Sequence, residues 1–283
     1  MLKFKIFFFL IGVKNIFAPS ICEKSKTGFH VSDKKYRIEK AGALPDSVCE
    51  SSGLEIAGEN FITHGDGACP SKLFYFNKNG QVHSSKDLSI QNKDWEDITK
   101  DKSGNLYIGD FGNNNNKRKD LKIYKLSPDG KVIDVIEFHY SDQNAFPPSK
   151  KKMNFDCEAM FWFRDSLYLF SKNRGDKTVR VYSLPDKGGK YQAGIAGSFY
   201  LNSMITAADI SPGNNTVALL SYGKVYFFTV DSTAAGLKVN PDFSKRINKG
   251  QTEALVFINE EDLLISNERG KLYLLKPKNL NRP

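Results

Sequence analysis

The chain has 283 residues, of which 40% are hydrophobic and 26% charged. That is enough apolar material to bury a core, which excludes a disordered chain, and the length suits one large all-β domain as well as two smaller ones. The net charge of +9 comes largely from scattered lysines, with short runs at 117–119 and 150–152; runs so short, without interleaved aromatics, argue against nucleic-acid binding and for solubilised strand edges.

The first element in chain order is an export signal. Lys3 and Lys5 precede the apolar run Ile6 to Val13, which is too short to span a bilayer. Residues 1–22 read as a signal peptide. Cys22 stands where a lipoprotein cysteine would stand, although Ile21 before it is bulky. Residues 23–34 then read as a linker, 35–277 as a β-propeller domain and 278–283 as a C-terminal tail. No later run is apolar enough for a transmembrane helix, so the expected location is secreted, periplasmic or cell-surface, lipid-anchored if Cys22 is modified.

An internal repeat follows. The segments Glu50-Ser-Ser-Gly-Leu54, Asp94-Trp-Glu-Asp-Ile98, Asp156-Cys-Glu-Ala-Met160, Thr206-Ala-Ala-Asp-Ile210 and Gln251-Thr-Glu-Ala-Leu255 each open a strand. Each is followed by a second apolar strand: Phe61 to Asp66, Leu106 to Asp110, Leu167 to Ser171, Val217 to Ser221 and Leu263 to Asn267. Third strands alternate apolar and polar residues, as in Lys72-Leu-Phe-Tyr-Phe76 and Val179-Arg-Val-Tyr-Ser183. Turn chemistry at Asn77 to Gly80 and Ser127 to Gly130 leads into fourth strands such as Lys131 to Glu137. The repeat starts lie 44, 62, 50 and 45 residues apart, the spacing of four-stranded propeller blades. The last copy has three strands, and Lys35-Tyr-Arg-Ile-Glu-Lys40 can supply its fourth. The expected fold is therefore an all-β propeller of five blades closed by an N-terminal strand. Six blades remain open if Phe138 to Asn154 or Gly194 to Ser203 hides a degenerate copy.

In such a blade the start of the first strand and the end of the second share one face. This gathers Glu50, Asp94 and Asp156 at one equivalent position, and Ser52, Glu96, Glu158 and Glu253 two residues later. Asp66, Asp110, Asn113, Asn173, Asn267 and Glu268 reach the same face from second-strand ends. A ring of carboxylates and amides around the channel mouth either holds a hard cation such as Ca²⁺ or pairs with cations such as Arg174 and Arg269. His64, Asp66, Asp110, Asn113 and Asn173 are the expected ligand-binding residues, with His64 the one histidine near the mouth. Cys49 and Cys69 flank the first hairpin within disulfide reach, and Cys157 reads as a buried thiol facing away from its acidic neighbours.

Glu50-Ser-Ser-Gly-Leu54 with Thr63-His-Gly-Asp66, and Asp94-Trp-Glu-Asp-Ile98 with Gly109-Asp-Phe-Gly-Asn113, resemble recurring motifs of secreted bacterial propellers related to the SdiA-regulated and phytase-like esterase families. The resemblance covers about residues 36–277. It implies calcium at the channel mouth, held by Glu96, Glu158, Glu253 and Asp110. This sequence departs from the pattern at Thr206, Ala208 and His64-Gly65-Asp66-Gly67. Two functions stay open: a monomeric binding or scaffold protein for a small molecule, glycan or envelope protein, and a calcium-dependent esterase or phosphoesterase.

Overall fold

The computed structural model describes residues 29–31 and 36–278. The expected signal peptide, with Cys22, lies outside the described residues. The described chain is all-β apart from one short 3-10 turn at Lys150–Lys152.

Each sequence repeat folds into an antiparallel sheet of consecutive strands. The first comprises Ser51–Ala57, Asn60–Gly65, Lys72–Phe76 and Val82–Asp87; the second Trp95–Lys100, Leu106–Asp110, Leu121–Leu126 and Val132–Tyr140. The third comprises Cys157–Phe163, Ser166–Ser171, Thr178–Pro185 and Gly189–Tyr200; the fourth Ile205–Ile210, Thr216–Ser221, Lys224–Val230 and Val239–Arg246. The fifth holds Thr252–Phe257, Leu263–Asn267 and Lys271–Pro277, and Tyr36–Ala43 pairs antiparallel with its last strand. The outer strands of the second and third sheets pair in parallel, from Ile136 opposite Gly189 to Tyr140 opposite Ala193, fusing the two into eight strands. His30–Val31 pairs in parallel with the outer strand of the fourth sheet.

Burial follows strand position. Leu106–Asp110 is buried at every residue, whereas the outer strand Val132–Tyr140 starts exposed. Each inner strand lies against the next, and Thr252–Phe257 lies against Ser51–Ala57. This is the arrangement of a propeller, with inner strands around a central channel. The core consists of slabs between adjacent sheets. Phe161, Phe170, Val181 and Phe199 of the third sheet pack on Val217, Leu219, Tyr226 and Phe228 of the fourth, and comparable clusters fill the neighbouring interfaces. Each such buried Leu or Phe contributes about 2 kcal/mol.

Polar residues clasp the inner strands to one another. Asp97, 1% exposed, accepts hydrogen bonds from the Ile98 amide at 2.9 Å and, across the interface, from the Met160 amide at 2.8 Å. Asp209 repeats this with Ile210 at 2.8 Å and Phe257 at 2.7 Å. Turns are set by local chemistry: the Asn77 carboxamide oxygen accepts from the Asn79 and Gln81 amides. Gly80 has φ +89°, and a Cβ there would lie 2.1 Å from the Ala43 carbonyl. Phe138 to Asn154 forms the end of Val132–Tyr140 and the loop after it, and Gly194 to Ser203 continues the strand Gly189–Tyr200.

Candidate functional site

The inner strands share one irregularity. Their register with the second strand slips between Ser51 and Gly53, Trp95 and Asp97, Cys157 and Ala159, Ile205 and Ala207, and Thr252 and Ala254. The extra residues are Ser52, Glu96, Glu158, Thr206 and Glu253. A bulge re-aims the side chain it carries. Here Ser52, Glu96, Glu158 and Glu253 line a cavity of about 220 Å³, with Asp66, Lys172, Arg174, Tyr222 and Glu268 also on its wall. This register corrects the sequence alignment of the fourth repeat: Thr206 occupies the position of Glu96, not that of Asp94. Its hydroxyl donates to the Thr252 carbonyl at 2.7 Å, as Ser52 donates to the Glu96 carbonyl at 2.8 Å.

The acids split into two overlapping groups. Carboxylate oxygens of Asp66, Asp94 and Glu96 lie within 4.8 Å of one another, as do those of Glu96, Asp156 and Glu158. The second group is already neutralised in part. Lys172 donates to Glu158, with both side chains 6% exposed, and to the Tyr222 hydroxyl at 3.0 Å. Arg174 meets Asp156 at 2.6 Å and Glu158 at 3.3 Å. Asp156 also accepts from the Asn113 amide at 2.8 Å. The first group has no ion pair among the described residues, although Asp66 accepts from the Gly67 amide. Glu96 is 5% exposed, and among the described residues its carboxylate has neither a hydrogen-bond donor nor an ion pair.

Crowding shows in the proton affinities. Burial and then the repulsion of Glu158, Asp66, Asp156 and Asp94 hold Glu96 well above the usual carboxylate range. Burial and then Asp66 push Asp94 up to about 6. Burial pushes Glu253 up to about 7, against the pull of Lys172. Glu158 is raised by burial and by Asp156 despite Lys172. Burial alone would pull Lys172 down, but Glu158 and Tyr222 outweigh it and hold it raised, fully charged.

Two glycines bring backbone onto the first group. A Cβ on Gly112 would lie 2.1 Å from Glu96 Oε1 and 2.5 Å from Asp94 Cγ, and one on Gly67 would lie 2.6 Å from Asp94 Oδ1. The loop after Leu106–Asp110 is held against the acids by Arg118, which donates to Asp110 at 2.8 Å and to the Gly112 carbonyl at 2.9 Å.

The structure separates the sequence-derived residues. Glu96, Glu158, Glu253 and Asp66 line the cavity. Asp110 lies outside that lining: it is 1% exposed and bound to Arg118. Asn113 is structural in its bonds, donating to the Phe155 carbonyl at 3.0 Å and accepting from the Arg118 amide at 2.9 Å. Asn173 donates to the Leu201 carbonyl at 2.7 Å. His64 is fully buried, its Nδ1 on the Gly65 carbonyl at 2.9 Å and its ring edge-on to Trp95; burial lowers its pKa to about 4, so it stays neutral. Cys49 and Cys69 form a disulfide, and Cys157 is a buried free thiol. Of the two anticipated arginine partners, Arg174 joins the acids and Arg269 does not. Lys172 and Tyr222 were not anticipated. Their one signal is position, since each directly follows a second strand at Ser171 or Ser221.

The donor set is oxygen-rich and lacks imidazole and thiol among the described cavity residues. It therefore fits a hard cation such as calcium or magnesium better than a softer metal. Asp66, Asp94 and Glu96 would hold that ion.

No protein-family model and no curated protein matches this chain. Among solved structures, it is similar to a catalytically inactive virginiamycin B lyase from Staphylococcus aureus, with 12% identity, TM-score 0.41 and coverage of 82% of this chain and 67% of that one. It is also similar to a gluconolactonase from Xanthomonas campestris, with 10% identity, TM-score 0.45 and coverage of 87% and 92%.

Proposed function

We propose that the chain is an exported five-bladed propeller, closed by Tyr36–Ala43, that binds a small molecule, glycan or envelope protein through a calcium ion at its acidic mouth. The blade count rests on the five sequence repeats and on inner strands that follow one another around the channel. Export is supported by the apolar segment after Lys3 and Lys5 and by the Cys49–Cys69 disulfide, a bond that persists in oxidising compartments.

The observation that carries the cation is Glu96. A buried carboxylate without a partner is expensive, and four further acids converge on it, of which Asp66 and Asp94 have no ion pair among the described residues. A divalent ion would remove both penalties. Thermal unfolding with Ca²⁺ and with EDTA tests this. A calcium-dependent rise in Tm that disappears in Glu96→Gln is expected; equal Tm values in both buffers would remove the cation from the account.

A second reading, a calcium-dependent esterase or phosphoesterase of the phytase-like type, is favoured by Glu253. With a pKa of about 7 on the wall of the same cavity, it can accept or donate a proton near neutral pH. Lys172, held charged beside it, can stabilise developing negative charge on a substrate oxygen. Bound calcium would polarise the carbonyl or phosphoryl oxygen. A panel of carboxylic and phosphate esters tests it: turnover that Glu253→Gln abolishes supports hydrolysis, and no turnover on any ester leaves binding alone.

A further inference from the structure

Beside the acidic mouth lies a larger cleft of about 570 Å³, on the same face, between the fourth and fifth sheets. Tyr222, Gln251 and Glu268 belong to the walls of both cavities. Its charge is opposite to that of the mouth. Lys249, Arg269 and Lys271 line it against the single acid Glu268. Among the described residues these three cations have no ion pair and no side-chain hydrogen bond, in contrast to Lys172 and Arg174 next door. The cleft is also a built feature. Asn267, 6% exposed, donates to the Lys249 carbonyl at 2.9 Å and accepts from the Lys271 amide at 2.9 Å, so one buried carboxamide fixes the backbone of two of the cations. Tyr273, 8% exposed, contributes its ring, with the Lys249 ammonium 5.4 Å from the ring centre.

Cations without an anionic partner around a cleft of small-molecule size walled in part by tyrosine rings suit an oxyanion carried on a compact organic body. We propose that this cleft seats the anionic group, carboxylate or phosphate, of a small ligand whose remaining oxygens face the acidic mouth. Cleft and mouth then form one bipartite site, joined through Tyr222, whose hydroxyl accepts from Lys172. The proposal rests on the mouth being the ligand-binding end of the channel, and it names the class of ligand. A neutral sugar leaves the three cations without a counter-charge. A ligand with its anion in the cleft would also avoid placing that charge among the acids of the mouth.

Calorimetric titration with inorganic phosphate, glucuronate and glucose, each in Ca²⁺ and in EDTA, tests the proposal. Wild type is expected to bind phosphate or glucuronate and not glucose. The double variant Arg269→Ala/Lys271→Ala, altering two exposed side chains, should weaken that binding by at least about tenfold per lost charged contact with calcium affinity unchanged. Lys249→Ala, made separately, should weaken it as well. Binding of phosphate alone identifies a phosphate ester as the ligand class, and binding of glucuronate alone an acidic sugar. Anion binding without calcium binding sustains the cleft while removing the cation reading. Calcium binding with no response to either anion, or an anion affinity that the double variant leaves intact, overturns the cleft.

Discussion

Replacing Asp97 with alanine removes one side chain from the interface between the second and third sheets. Its carboxylate accepts from Ile98 at 2.9 Å and from Met160 at 2.8 Å, and both amides lie on buried residues. Each buried donor left without an acceptor costs about 1–3 kcal/mol. The variant also removes a carboxylate that burial holds well above its ordinary pKa, which recovers part of that cost. The net expectation is a loss of about 2–4 kcal/mol, or about 2–4 °C in Tm per kcal/mol for a domain of this size. Urea unfolding at neutral pH measures it, with an unchanged m-value showing that the denatured state is not altered. Asp97→Asn, which keeps one acceptor oxygen, should fall between wild type and alanine. A loss for alanine below about 0.5 kcal/mol would refute the claim that side-chain clasps, and not apolar slabs alone, hold adjacent sheets.

Asp94 and Glu253 have folded-state values of about 6 and about 7, against ordinary values of 3.8 and 4.5. The folded state therefore binds more protons than the unfolded state across that interval, and cation-free protein should lose stability as pH rises through it. Melting curves in EDTA at pH 5 and pH 8 check the sign, and saturating calcium should shrink the difference; greater stability at pH 8 in EDTA would contradict it. Gly112→Ala should displace Glu96 and Asp94, because its Cβ would fall 2.1 Å from one and 2.5 Å from the other. Calcium affinity should drop at least about tenfold, while Gly194→Ala, whose Cβ would meet nothing within 4 Å, should bind as wild type.

The strand order was legible because apolar alternation and turn residues recur with each repeat, as in Lys72–Phe76 and Asn77 to Gly80. The disulfide was legible because Cys49 and Cys69 flank one hairpin. The register of the fourth repeat was not. Its Asp209-Ile210 pair looks like Asp97-Ile98, and aligning the two puts Thr206 two positions early, on Asp94 instead of Glu96. The bulge shows that Asp209 stands at the position of Glu55 and Thr99. The two aspartates do the same clasping from different positions, an equivalence that composition cannot distinguish. Asn113 and Asn173 were expected as ligands because carboxamides suit both ligands and loop carbonyls; the fold shows their amide nitrogens donating to the Phe155 and Leu201 carbonyls, with the Asn173 oxygen buried and without a hydrogen-bond partner among the described residues. Lys172 was hidden for a related reason. A lysine after a strand usually reaches water, and this one turns inward because Glu158 and Tyr222 lie within its reach.

The central claim, a hard cation on Glu96 with Asp66 and Asp94, is tested most directly by calorimetric titration of calcium into metal-free protein and into Glu96→Gln. Saturable binding to wild type that the substitution removes, with the melting curve of the variant in EDTA still cooperative, is the predicted result. Calcium binding of equal strength in both proteins, or none in wild type, would contradict the claim and leave the acids as a structural ring held by Lys172 and Arg174.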